Sequence, residues 1–102
     1  MQNSKGEVVE LVLFKLNAGV SHEAFMGAVQ ATQQKIAQFK GFKRRQLLHN
    51  DEGQWVDVVW WNSLDEAMQA AESFSTDPEL TAFGATLDVS SINMLHLKPV
   101  QL

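Results

Sequence analysis

The chain predicts an α+β domain of element order β-α-β-β-α-β. Three observations carry that prediction. Apolar, β-rich runs of strand length recur at four places, one long stretch between the first two has its apolar residues at helical spacing, and a capped helix start follows the third run directly. A length of 102 residues, with 45% apolar and 20% charged side chains, fits one globular domain spanning 1–102 and leaves no room for a second.

The first strand is expected at Glu7–Leu16, where Val8, Val9, Leu11, Val12, Leu13, Phe14 and Leu16 are apolar on both alternating sides. Asn17-Ala-Gly19 stops it. Ser21 is an N-cap, and Phe25, Ala28/Val29, Thr32, Ile36 and Phe39 mark one face of a helix over His22–Lys40, closed by Gly41. Phe42–His49 and Gln54–Trp61 read as two strands joined by the Asn50-Asp-Glu-Gly53 loop. Ser63-Leu-Asp-Glu66 is a capping box, and Leu64, Met68, Ala71 and Phe74 are expected to form the apolar face of the helix it starts. Asp77-Pro78 breaks that helix, a further turn or two carries Leu80, Phe83 and Leu87, and Ile92–Leu97 is the last strand.

This order is that of ferredoxin-like domains: a four-stranded antiparallel sheet with its helices on one face. The other face should then meet water and be polar on one side of each strand. It is apolar instead. Val9, Leu11 and Leu13 alternate with Val8, Val12 and Phe14, and Val56, Val58 and Trp60 alternate with Trp55, Val59 and Trp61. A second copy of the sheet is the simplest cover, so the expected partner is the chain itself, as a homodimer closing a shared α+β barrel.

Composition removes several chemistries. Without Cys there is no disulfide, thiol nucleophile or thiolate metal site, and without Tyr no phenolic acid. A net charge of −4 disfavours nucleic acid and anionic membrane as partners. Met1–Gly6 is polar and reads as a short tail rather than a signal peptide, so a cytoplasmic location is expected. RNA-recognition domains share the element order, but the third strand here lacks their leading cation and carries Asp57, which would repel phosphate.

The candidate site residues are polar groups stranded in apolar strands. Glu10 and Asp57 are costly to bury unless paired or protonated, so they serve either as a general acid or base near Trp61 or as partners of Arg44, Arg45 or Lys98 in ion pairs. Alternation puts Asp57 on the Trp61 side of its strand; it leaves the side of Glu10 open. His96, between Leu95 and Leu97, is either a satisfied core histidine or a proton carrier. His22, His49 and His96 lack the mutual spacing of a metal site, so no metal is expected.

The chain resembles the dimeric α+β barrel superfamily, and within it the antibiotic-biosynthesis-monooxygenase-like domains. The residues that carry the likeness are Glu7–Leu16 with Asn17-Ala-Gly-Val-Ser-His-Glu-Ala-Phe25, Lys40-Gly41-Phe42, and Asp57-Val-Val-Trp-Trp-Asn-Ser63. The resemblance implies a cofactor-free oxygenase acting on a polyphenol, a haem-degrading enzyme, or one of the many members of no known activity. The haem-degrading enzymes have an iron-ligating His on the second helix, and Leu64–Phe74 has none. The expectation is therefore a small cofactor-independent oxygenase-like protein binding a planar aromatic molecule in a cleft between sheet and helices. Its catalytic candidates are Asp57, Asn62 and His96, and its substrate-binding candidates Trp61, Glu10, Phe14 and Arg44. The alternative is a non-catalytic dimeric domain, ligand-binding or stress-associated, whose strand polar residues are structural.

Overall fold

The computed structural model describes residues 6–102; of the expected polar tail, Met1–Lys5 lie outside the described residues. The elements are β1 (Val8–Phe14), α1 (His22–Ala37), β2 (Phe42–His49), β3 (Trp55–Trp61), α2 (Leu64–Ser73), α3 (Pro78–Gly84), a 3-10 turn at Val89–Ser91 and β4 (Asn93–Leu97). The four strands form one antiparallel sheet in the order β2-β3-β1-β4. This is the ferredoxin-like topology the sequence predicts, with the helical turns after Asp77 forming the separate helix α3, which carries Leu80 and Phe83 and ends before Leu87.

Register sorts the side chains. Val8, Glu10, Val12 and Phe14 of β1 lie opposite Trp61, Val59, Asp57 and Trp55 of β3. These positions face the helices, and Phe14, Val59 and Trp61 are almost wholly buried there. The opposite face carries Val9, Leu11 and Leu13 against Trp60, Val58 and Val56, with Leu95 and Leu97 on β4 at 39% and 45% exposure. None of the described helices covers it, and on β1 and β3 it is as apolar as the sequence indicates.

Beneath the helices the core has two lobes. One joins Phe14, Phe25, Val29, Trp55, Phe83 and Leu87; the other joins Ile36, Val59, Trp61, Ala67, Ala70 and Leu80. Burying each large side chain contributes roughly 1.5–3 kcal/mol. α1 presents Phe25, Val29, Thr32 and Ile36 inward as its spacing predicts, and its N-cap Ser21 accepts from the Ala24 N–H at 3.0 Å.

α2 keeps Ala71 and Phe74 half-buried as expected, but departs from expectation at the other two apolar positions. Leu64 and Met68 stay 44% and 50% exposed, while Ala67 and Ala70 pack inward at 0% and 4%. Val59 and Trp61 fill the space beneath α2, so only alanine lets the helix backbone approach the sheet. The capping box forms with a variation. The Ser63 hydroxyl accepts from the Glu66 N–H at 3.2 Å and donates to Glu66 Oε1 at 3.0 Å.

Asn17 fastens the far end of the sheet. Its backbone N–H donates to Thr86 O at 2.9 Å, and its side-chain amide donates to the Ala85 and Leu87 carbonyls at 3.0 Å each. Together with the Leu16–Leu87 bridge, these bonds hold the segment after α3 against β1. None of the described helices is long and apolar enough to cross a membrane.

Candidate functional site

Between the two core lobes lies a cavity of about 210 Å³, bounded by the sheet, α2, α3 and the start of β4. Its walls are almost entirely apolar: Val12, Phe14, Ile36, Val59, Phe74, Phe83 and Leu87 among others. Ile92 and Met94 stand at its rim, both more than a third exposed. Three residues bring polar atoms to the lining: Glu10, Asp57 and Trp61.

Glu10 reaches the cavity because β1 alternation places it two residues from Val12, which lies opposite Asp57. The register thus settles the side that the sequence leaves open: Glu10 shares a face with Asp57 and Trp61. On its other flank Glu10 pairs with His96 of β4, and His96 Nε2 lies 2.8 Å from Glu10 Oε2. Burial pushes the Glu10 carboxyl above the ordinary carboxylate value. The hydrogen bond and charge of His96 and the nearby Trp61 indole pull the other way, and Asp57 adds a push upward.

Trp61 is 2% exposed, and its Nε1 completes no well-formed hydrogen bond although the Glu10 carboxylate is close enough to feel it. A buried N–H left without an acceptor costs about 1–3 kcal/mol. A ligand oxygen would relieve that cost.

Asp57 is differently placed. Arg45 Nε donates to its Oδ1 at 2.9 Å and Arg45 Nη2 to its Oδ2 at 2.7 Å, with the two side chains only 4% and 9% exposed. Arg45 Nη1 donates onward to Thr32 Oγ1 and Gln33 Oε1, each at 3.2 Å. Thr32 Oγ1 in turn donates to Val29 O at 2.7 Å. Asp57 therefore enters the cavity wall already neutralised and tied to α1, so the ion-pair alternative describes its geometry better than a free acid or base does.

Two expected residues stand elsewhere. Arg44 lies over Trp60 at 4.0 Å from the ring, on the helix-free face, because a bulge between Phe42 and Arg44 shifts the alternation of β2. That shift is also what aims Arg45 at Asp57. Asn62 follows the end of β3 and lines a polar groove of about 400 Å³ with Lys40, Ser63, Asp65, Glu66 and Gln69. It is not part of the cavity wall. Phe14 and Trp61 line the cavity.

A second cluster escapes the sequence altogether. His22 and His49, distant in the chain, have ring centroids 6.0 Å apart, and both pack on Trp55; His49 stacks on it at 4.5 Å. Among the described residues no three His, Asp or Glu side chains converge as a donor set for a metal ion.

No protein-family model matches the sequence, and no curated protein matches it. Solved structures do match over nearly the whole chain. SnoaB, a cofactor-independent oxygenase from Streptomyces nogalater, superposes with a TM-score of 0.78 at 20% identity, over 95% of this chain and 96% of its own. A candidate monooxygenase from Shewanella loihica matches with a TM-score of 0.72 at 25% identity, over 98% of this chain and 100% of its own. A candidate antibiotic biosynthesis monooxygenase from Bordetella bronchiseptica matches at 0.75 and 17%, over 95% and 100%. The topology and these superpositions agree: the chain has the ferredoxin-like α+β fold of the antibiotic-biosynthesis-monooxygenase-like domains.

Proposed function

We propose that the chain is a small oxygenase-like protein, independent of cofactor and metal, that binds a planar aromatic molecule in the cavity between sheet and helices. The observation that carries this is the pairing of an apolar cavity with one buried, unsatisfied N–H donor and one buried carboxylate. SnoaB, which shares the fold, is a cofactor-independent oxygenase. A volume of about 210 Å³ is below the ~300–1,000 Å³ of pockets for drug-sized ligands. The ligand is therefore a compound of one or two fused rings.

The chemistry needs only the substrate and O₂. Glu10 removes a proton from an activated ring carbon or hydroxyl, and the Trp61 N–H donates to the oxygen on which the negative charge settles. The electron-rich anion reduces O₂ and forms a C–O bond. Protonation and loss of water complete the change of a ring CH₂ into a carbonyl, so that CH₂ plus O₂ gives C=O plus H₂O. All electrons come from the substrate.

The test is a panel of 1-naphthol, 1,4-dihydroxynaphthalene, 1-tetralone and the larger anthrone, followed by thermal shift and an oxygen electrode. A ligand present at a hundred times its Kd should add about 2.7 kcal/mol to stability. Binding by the bicyclic compounds with oxygen uptake abolished in Glu10→Gln is the expected result. No shift and no uptake with any member would overturn the reading. Binding without uptake would favour the non-catalytic alternative, which the neutralised Asp57 pair also suits.

The same reading includes a homodimer through the helix-free face. Val9, Leu11, Leu13, Val56 and Trp60 are only half-buried there, and Leu48, Leu95 and Leu97 are exposed. An apolar sheet face of this extent is the kind of surface that a partner covers. A stable monomer at micromolar concentration would refute it.

A further inference from the structure

Glu10 and His96 differ in what they touch. Glu10 lines the cavity, while His96 does not. His96 sits on the far side of the carboxylate, on the edge strand β4, and keeps 19% of its side chain exposed against 11% for Glu10. The 2.8 Å contact thus joins a group inside the cleft to a group that meets water. We propose that Glu10 and His96 form a proton relay in which Glu10 is the base that faces the ligand and His96 is a positioning and transfer residue carrying the proton to solvent along the sheet edge.

The proposal rests on the reading that an acidic aromatic compound occupies the cavity. Its walls demand such a path. With the ligand filling a small apolar cavity, water has no place beside Glu10, and a proton left on the carboxyl would block the next turnover. In the relay, the ligand's X–H bond breaks and its electron pair stays on the ligand, while an O–H bond forms on Glu10. Ring-proton exchange with water moves the His96 proton from Nε2 to Nδ1, the carboxyl proton passes to the freed Nε2, and His96 then releases its Nδ1 proton to water. Glu10 is left a carboxylate that accepts from the Nε2–H of His96 as at the start, and one proton has passed from the ligand to water.

The groups that face the pair leave the path unobstructed. Asp57 from β3 is held by Arg45 from β2, the Trp61 N–H lies beside Glu10, and α2 and α3 contribute no titratable side chain to this wall. Burial, which holds Glu10 above the usual carboxylate range, brings its proton affinity closer to that of an imidazole and so favours transfer between them.

Two measurements test the relay. In the ligand-free protein, carboxyl ¹³C and imidazole ¹⁵N NMR should show Glu10 and His96 titrating as a coupled pair, with the Glu10 midpoint moving upward in His96→Gln. With 1-naphthol as probe and a pH indicator as reporter, proton release should slow at least about tenfold in His96→Gln, a loss of ~1.4 kcal/mol in the transfer step. Added imidazole should restore it, and the exposed-cluster variant His49→Gln should leave it unchanged. Independent titration of the two groups, or release at the wild-type rate in a folded His96→Gln protein, overturns the relay. Coupled titration without binding of any probe would uphold the pair and overturn the aromatic-ligand reading instead.

Discussion

Replacing Arg45 by Met should be among the most destabilising single changes in this chain. The guanidinium is 4% exposed and binds both oxygens of Asp57, which is itself 9% exposed. Met keeps the apolar stem but leaves the buried carboxylate under α1 without its cation. Breaking a buried ion pair from one side costs about 3–5 kcal/mol. A domain of this size is stable by roughly 5–15 kcal/mol, so the variant loses a large share of its margin. At about 4–8 °C per kcal/mol, the melting temperature should fall by some 12–40 °C. Urea titration of wild type, Arg45→Met, Asp57→Leu and the double variant separates the contributions. The double variant should recover most of the loss, because no charge is then left uncompensated; a residue of it reflects the bonds to Thr32 and Gln33. If Arg45→Met costs under about 1 kcal/mol, the pair behaves as a solvent-screened one and the account of Asp57 is wrong.

Three further outcomes follow from other contacts. Glu10 has a folded-state proton affinity raised above the unfolded value near 4.5, so its contribution to stability is greatest at low pH and declines as pH rises through its raised midpoint. The stability of wild type minus that of Glu10→Gln, measured by urea unfolding across pH 3–8, should fall with rising pH; a rise would contradict the desolvation argument. Leu11→Lys places an ammonium on the helix-free face, and light scattering should drop from twice the 11.4 kDa chain mass to one. Gly41→Ala should destabilise strongly, since Gly41 has φ +87° and its added Cβ would collide with the Glu66 side chain. Gly53→Ala, at φ +90° with open space around it, should cost less by the same unfolding assay.

The element order was legible because each strand, cap and turn carries its own local signature, and β2 begins and ends where the sequence places it. The two apolar faces of β1 and β3 were legible too, since alternation is a property of the chain itself. What alternation cannot reveal is a bulge. The irregularity between Phe42 and Arg44 exchanges the sides of Arg44 and Arg45, and with them the identity of the cation beside Asp57. The inward face of α2 was hidden for a different reason. Hydrophobicity favours Leu64 and Met68, but the room left by Trp61 and Val59 is a matter of tertiary packing, and Ala67 and Ala70 take the inward places instead. The link between Glu10 and His96 depends on the pairing register of strands 86 residues apart, which no local pattern encodes.

The three tryptophans of this chain all stand on β3, at 55, 60 and 61; alternation separates Trp60 from the other two, and the length of the strand separates Trp55 from Trp61. Trp61 stands in the cavity wall beside Glu10, Trp60 lies under the Arg44 guanidinium on the helix-free face, and Trp55 is stacked by His49 at the other end of the sheet. One strand therefore carries three optical reporters of different events. With any two replaced by Phe, the emission of the third follows a single process: ligand entry for Trp61, subunit association for Trp60, and imidazole protonation for Trp55. Because the strand is shared, a change that reaches two of the reporters at once measures directly how far the cavity and the helix-free face are coupled through β3.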